Sequence, residues 1–173
     1  MKASVKVTVA VLGFLALGAA QGRAQNTCTA NPCGLNDTAK VTVTTVLRLT
    51  VSQAATTLTA PNEAAYDAGF QLDNGPTATV KANRAWTLKV SANGSNWTGT
   101  GGANATKAAS DLQWATSSGG PYSGLTTTPV TFTTGAGGTG GTAQNVFYKT
   151  LWNYTSDTPG NYSLVVVYTL SAP

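Results

Sequence analysis

Hydrophobic and polar residues alternate with a period of two along much of the chain, most clearly near its C-terminus. There Tyr162, Leu164, Val166, Tyr168 and Leu170 interleave with Ser163, Val165, Val167 and Thr169. Successive side chains of a strand point to opposite faces, so this pattern predicts a terminal strand with one face in a core. Asp157-Thr158-Pro159-Gly160 precedes it and reads as a turn, because proline presets its φ angle and glycine tolerates a positive one. Upstream, Val41, Val43, Leu47, Leu49 and Val51 share one face of a predicted long strand, with Thr42, Thr44, Arg48 and Thr50 opposite. Trp86, Leu88 and Val90 alternate with Thr87, Lys89 and Ser91 in the same way.

Shorter strands are expected at Thr56–Ala60, Ala68–Leu72, Thr77–Ala82, Asp111–Thr116, Pro129–Thr133 and Asn145–Asn153. No helical stripe persists for more than two turns after Gln25. The Gly-rich stretch Thr134–Thr142 lies between strands and reads as a mobile loop. About eight or nine short strands separated by Gly, Pro and Asn turns predict an all-β fold, a single, mostly antiparallel immunoglobulin-like β-sandwich. The expected organisation is a signal peptide over 1–24, a polar segment over 25–38 with a local disulfide, and the sandwich over 39–173.

The first 24 residues change the reading of charge. Lys2 and Lys6 precede an apolar run from Val7 to Ala20, and Gly22-Arg23-Ala24 supplies small residues for cleavage, the order of a secretory signal. No second apolar stretch follows, so no membrane span is expected once the signal is removed. The whole chain carries a formal net charge of +4. Three of its ten basic residues (Lys2, Lys6 and Arg23) belong to the leader, which leaves a nearly balanced remainder. The other basic residues are scattered singly, so there is no nucleic-acid footprint. Secretion to the cell surface or periplasm is the expected localisation.

Candidate chemistry is sparse. The chain has no histidine, which removes Ser-His-Asp and Cys-His nucleophile activation and any His-ligated zinc. Cys28 and Cys33 flank Thr-Ala-Asn-Pro, and in an exported chain they are expected to form a local disulfide. Two thiols are too few ligands for a metal site, and the spacing is not that of a redox Cys-x-x-Cys pair. Glu63 with Asp67 would be the nearest approach to a glycosidase carboxylate pair, and Asp67 with Asp73 to a calcium site. Neither has the required pattern, and solvated loop carboxylates are the simpler reading. The protein is therefore expected to be non-enzymatic, with no cofactor and no metal.

The four tryptophans divide. Trp86, Trp114 and Trp152 fall on apolar strand faces and read as core or sheet cover. Trp97 lies in the polar loop Asn-Gly-Ser-Asn-Trp-Thr-Gly, where an indole face could stack on a sugar ring. The competing reading makes it a loop anchor folded back onto the core. Trp97, with Tyr122 and Tyr154, forms the expected ligand-binding set. Asn-x-Ser/Thr triplets at Asn36, Asn93, Asn96, Asn104, Asn153 and Asn161 are expected by chance in so Asn- and Thr-rich a chain.

Trp86-Thr87-Leu88, together with the ending Tyr162-Ser-Leu-Val-Val-Val-Tyr168-Thr-Leu170-Ser-Ala-Pro173, resembles the bacterial WxL-type cell-surface domain. That family carries a Trp-x-Leu strand and a C-terminal strand with a second Trp, at the position taken here by Tyr168. The likeness covers about the C-terminal half and implies non-covalent attachment to the cell surface through a β-sandwich. A polar turn leading into a Tyr-initiated terminal strand is also typical of secreted immunoglobulin-like sandwiches. Gly160 followed by an alternating C-terminal strand is similar to chaperone–usher pilins, although the polar, Pro32-containing segment 25–38 makes a poor donor strand. The functional expectation is a secreted, envelope-associated binding or structural module. Its partners would be envelope polysaccharide or a surface protein, with self-association also open. The alternatives are a pilin-like assembly subunit and a carbohydrate-binding module.

Overall fold

The computed structural model describes residues 27–173. The expected signal peptide lies outside the described residues. The chain divides into two units between Thr42 and Val43. In the first, residues 27–42 form no helix or strand and are mostly exposed, and Cys28 and Cys33 are disulfide-bonded with Cα atoms 5.8 Å apart.

The second unit is nearly all β, with antiparallel sheets packed together. Its strands in chain order are β1 (Leu47–Val51), β2 (Phe70–Ala82), β3 (Trp86–Ala92), β4 (Thr98–Thr100), β5 (Leu112–Ala115), β6 (Ser123–Gly124), β7 (Val130–Gly135), β8 (Thr139–Leu151), β9 (Asn161–Ser163) and β10 (Val166–Ser171). One sheet has the order β1-β2-β8-β5-β6, a second β10-β3-β7, and β4 pairs with β9. The two segments that carry the WxL resemblance are neighbours here, since Tyr168 of β10 faces Val90 and Leu170 faces Leu88 of β3.

Alternation explains the core. Val80 and Ala78 of β2, Trp86, Leu88 and Val90 of β3, Leu112 and Trp114 of β5, Phe132 of β7, and Val146 and Tyr148 of β8 all point inward and are buried. Tyr162, Leu164, Val166, Tyr168 and Leu170 pack against them, so the face read from the C-terminal pattern is the inner one. Burying a large apolar side chain contributes about 1.5–3 kcal/mol, which is why one consistent inward stripe per strand fixes register.

Several local expectations are corrected. The first strand starts at Leu47, not Val41, because its partner β2 ends at Ala82, opposite Leu47. Beyond that point the Asn83 side chain takes over the pairing: its Oδ1 accepts from the Val46 N–H and its Nδ2 donates to the Thr44 carbonyl, both at 2.8 Å. Thr56–Ala60 forms no strand. The two strands expected over 68–72 and 77–82 are one, continuous through a register shift between Asn74 and Thr77. The terminal strand is divided into β9 and β10 at Leu164 and Val165.

The stretch Thr134–Thr142 is not a mobile loop. It is the end of β7, the start of β8 and the short crossover between them, which carries the chain from the three-stranded sheet to the five-stranded one, and Thr139 and Thr142 pair with Ala82 and Val80 of β2. Its glycine content has a packing reason at Gly135, where a Cβ would overlap the Trp86 indole ring. A short helix, α1 (Glu63–Ala68), has no counterpart in the sequence reading. Asn62 caps its N-terminus by accepting from the Ala65 N–H, and the Gly69 N–H closes the other end on the Tyr66 carbonyl. Among the described residues no helix is long and apolar enough to cross a membrane.

Candidate functional site

α1 delivers Tyr66 and Asp67 to the end of the sandwich where β8 finishes at Leu151. At that end β8 pairs with the starts of β2 and β5: Leu151 faces Phe70, and Thr150 faces Leu112. The chain then turns through Asn153–Asp157 toward β9. Asn153 organises the turn, its Oδ1 accepting from the Thr155 N–H and hydroxyl at 2.8 and 2.7 Å. Asn104 makes the same arrangement with Thr106, and its Nδ2 donates to the Ser156 carbonyl at 2.9 Å, which ties the two turns together.

A continuous aromatic strip results. Trp97 meets Tyr162 edge-on at 6.4 Å, Tyr162 meets Trp152 at 5.7 Å, Trp152 meets Tyr66 at 6.0 Å, and Tyr66 stacks on Tyr154 at 4.8 Å. Such ring pairs contribute about 0.5–1.5 kcal/mol beyond the area they bury. The strip runs from the core to the surface: Trp97 is 5% exposed and Tyr154 62%. The Tyr154 hydroxyl donates to Asp67 Oδ1 at 3.1 Å, and the Tyr66 hydroxyl donates to the Asp157 carbonyl at 3.3 Å. Loss of solvent around the Tyr154 hydroxyl, its bond to Asp67 and the charges of Asp67 and Tyr66 all raise its pKa above the ordinary phenol value. Burial, then Asp157 and Tyr162, do the same for Tyr66. Both rings are therefore neutral at ordinary pH.

Beneath the strip lies a buried ion pair. Lys107 Nζ contacts Asp157 Oδ1 at 2.9 Å, donates to the Leu151 carbonyl at 2.6 Å, and lies 4.5 Å from the centre of the Trp152 ring. A third group, Asp111 Oδ2, stands 3.5 Å from the same nitrogen. The Lys107 and Asp157 side chains are 1% and 4% exposed, that of Asp111 33%. The second carboxylate oxygen of Asp157 accepts from the Asn153 N–H at 2.8 Å. A cleft of about 340 Å³, lined by Asp111, Leu151, Trp152 and Asp157 among others, opens beside the pair.

The three residues expected to bind ligand do not form one face. Trp97 is buried and takes the anchoring role, its backbone N–H bonded to the Lys107 carbonyl at 2.8 Å. Tyr154 is exposed at the end of the strip. Tyr122 belongs to the loop that leaves β5 after Ala115, whereas Lys107–Asp111 enter β5 at Leu112, so Tyr122 and the Lys107–Asp157 pair sit at opposite ends of that strand. The Tyr122 hydroxyl closes its own loop on the Ser118 carbonyl at 2.8 Å. Asp67 is committed to Tyr154, while Asp73 accepts from the N–H and hydroxyl of Thr59 at 2.9 and 2.6 Å. Among the described residues no group of three or more His, Cys, Asp or Glu is placed to hold a metal ion.

Sequence reasoning missed Tyr66, Trp152 as a surface-proximal member, and the Lys107–Asp157 pair. Asn62 before Glu-Ala-Ala-Tyr-Asp-Ala-Gly was a readable helix start and stop for Tyr66. Nothing in a single lysine at position 107 marks it as buried. No family model matches the chain, and a search of the curated proteins finds no match in sequence.

Proposed function

We propose that the protein is a secreted, non-catalytic module of the cell surface or envelope that binds carbohydrate through Tyr154 and its surroundings. The observation that carries this reading is the exposed Tyr154 ring, held from behind by Tyr66 at 4.8 Å and fixed in rotation by its bond to Asp67. A preset aromatic plane loses little freedom when a pyranose stacks on its free face, and the Asn153 amide and the Asp67 carboxylate, which keeps acceptor capacity beyond its one bond to Tyr154, are beside it as partners for sugar hydroxyls. The secretory pattern of the leader, the disulfide, and the likeness to WxL-type surface domains favour an envelope setting. The absence of histidine from the sequence and the commitment of Asp67 and Asp73 to structural bonds favour binding without turnover.

Retention of the purified protein on insoluble cell-envelope polysaccharide tests the reading. Tyr154→Ala should lower retention at least about tenfold, the loss of one good contact of about 1.4 kcal/mol, while the protein stays folded at the assay temperature. Retention unchanged in that variant, or release of soluble sugar by the wild type, would overturn it.

The exposed apolar residues ahead of β1 favour a second reading, assembly by strand addition. Val43 and Val46 are 76% and 58% exposed in an extended segment with strong β propensity. Concentration-dependent oligomers that vanish in a Val43→Lys, Val46→Lys variant would support it. A monomer at all concentrations would exclude it.

A further inference from the structure

The Lys107–Asp157–Asp111 cluster is more than a salt bridge requires. A buried ion pair gains little net stability, because removing two charges from water costs about as much as their attraction returns. This one is covered by the Trp152 ring, and a second carboxylate, that of Asp111, stands 3.5 Å from the ammonium. Unlike an arginine, a buried lysine can give up a proton, and its amine is then a nucleophile.

We propose that Lys107 and Asp157 condense to form an intramolecular amide cross-link, with Asp111 as the proton relay. Lys107 Nζ, bonded to Oδ1, sits beside the Asp157 Cγ that it attacks. The bond formed is Nζ–Cγ and the bond broken is Cγ–Oδ1. Two protons leave the ammonium and reach Oδ1 by way of Asp111, so Oδ1 departs as water. Nothing is oxidised or reduced, and the net charge of the pair is zero before and after.

Each surrounding group has a place in this step. Asp157 Oδ2 remains as the amide oxygen, and the Asn153 N–H at 2.8 Å stabilises the charge it carries while Cγ is tetrahedral. The Leu151 carbonyl, 2.6 Å from Nζ, accepts the single hydrogen that the amide nitrogen keeps. Asp111 is partly exposed and exchanges protons with solvent, and the cleft that it lines with Asp157 gives the departing water a way out. Replacing two buried charges by a neutral amide removes their desolvation cost and drives the condensation. The product would lock the segment entering β5 to the turn entering β9, residues 50 apart in sequence. This suits a protein pulled on at a cell surface.

Mass spectrometry of the full chain, denatured and with its disulfide reduced, decides the matter. From its observed N-terminus onward the protein should be lighter than its sequence by the mass of one water. Proteolysis should then yield a branched peptide joining Lys107 to Asp157. Lys107→Met and Asp111→Asn should each restore the full mass, and the wild-type measurement stands by itself if Lys107→Met does not fold. A wild-type mass equal to the sequence, or linear peptides with a free Lys107 side chain, would overturn the proposal. The outcome is independent of whether Tyr154 binds carbohydrate.

Discussion

The hydroxyls of Tyr148 and Tyr168 meet at 2.9 Å, joining β8 of the five-stranded sheet to β10 of the three-stranded one inside the sandwich. Burial raises the Tyr168 pKa far above the ordinary phenol value, and the charge and hydrogen bond of Tyr148 add to this. Tyr148 is also raised by burial, partly offset by its bond to Tyr168. A phenol whose folded pKa exceeds its unfolded value contributes stability that is complete below the unfolded value, about 10, and lost as pH rises above it. Unfolding free energy should therefore be insensitive to these groups at neutral pH and fall steeply above about pH 10. Tyr168→Phe should cost about 1 kcal/mol at pH 7 and flatten the alkaline decline. Denaturant titrations at a series of pH values check both, and an equally steep decline in the variant would assign the alkaline sensitivity elsewhere.

Trp86 and Gly135 are matched in shape across β3 and β7. The indole is 2% exposed and occupies the space that a side chain at Gly135 would fill. Trp86→Ala should cost about 3–5 kcal/mol, the range for deleting a buried aromatic ring. Gly135→Ala should also destabilise, by about 1–3 kcal/mol of overpacking. Added to Trp86→Ala, it should cost less than it does alone, because the new methyl enters the vacated space. A double-mutant cycle measures the coupling, and strict additivity would separate the two residues.

The Cys28–Cys33 bridge closes a short loop within the N-terminal unit, whereas the first strand of the sandwich begins at Leu47. In the chain-entropy view such a loop contributes about 2 kcal/mol at most, and only to the segment that it closes. Replacing both cysteines by serine should leave the main calorimetric transition within about 2 °C of the wild type. Loss of that transition would mean that the segment is needed to fold the sandwich.

The sequence was most legible where side chains alternate against one core. The inner face of β3 and the inward set from Tyr162 to Leu170 follow directly from period two, because burial on one side enforces register. It was least legible where pairing depends on a partner's length. The end of β1 is set by where β2 turns at Asn83, and no pattern within residues 41–51 records that. Glycine misled at 134–142, since the composition that marks a flexible loop also permits a strand end to pass close to Trp86 where the chain crosses between sheets. The aromatic strip was legible only in part. Tyr154 could be singled out, but its supporting Tyr66 lies 88 positions away on a helix of six residues. The Lys107–Asp157 pair is a contact between two loops, which local sequence does not encode.

Trp97 and Tyr154 occupy opposite ends of the aromatic strip, and their substitutions should separate stability from binding. Trp97 is buried and its ring packs edge-on against Tyr162, while its backbone N–H, which an alanine would keep, bonds to the Lys107 carbonyl. Trp97→Ala should cost about 3–5 kcal/mol through lost contacts and a residual cavity. The damage should spread to the paired strands β4 and β9, because β4 begins at Thr98, immediately after Trp97, and Tyr162 lies in β9. Hydrogen exchange should accordingly quicken first at Thr98–Thr100 and Asn161–Ser163. Tyr154→Ala removes a largely exposed ring and its stack on Tyr66, and should cost only about 0.5–1.5 kcal/mol. Retention on polysaccharide should then fail in the Tyr154 variant while it is fully folded, and in the Trp97 variant only in proportion to the fraction unfolded. A Trp97→Ala protein that kept wild-type stability but lost binding would place the contact surface at Trp97 instead.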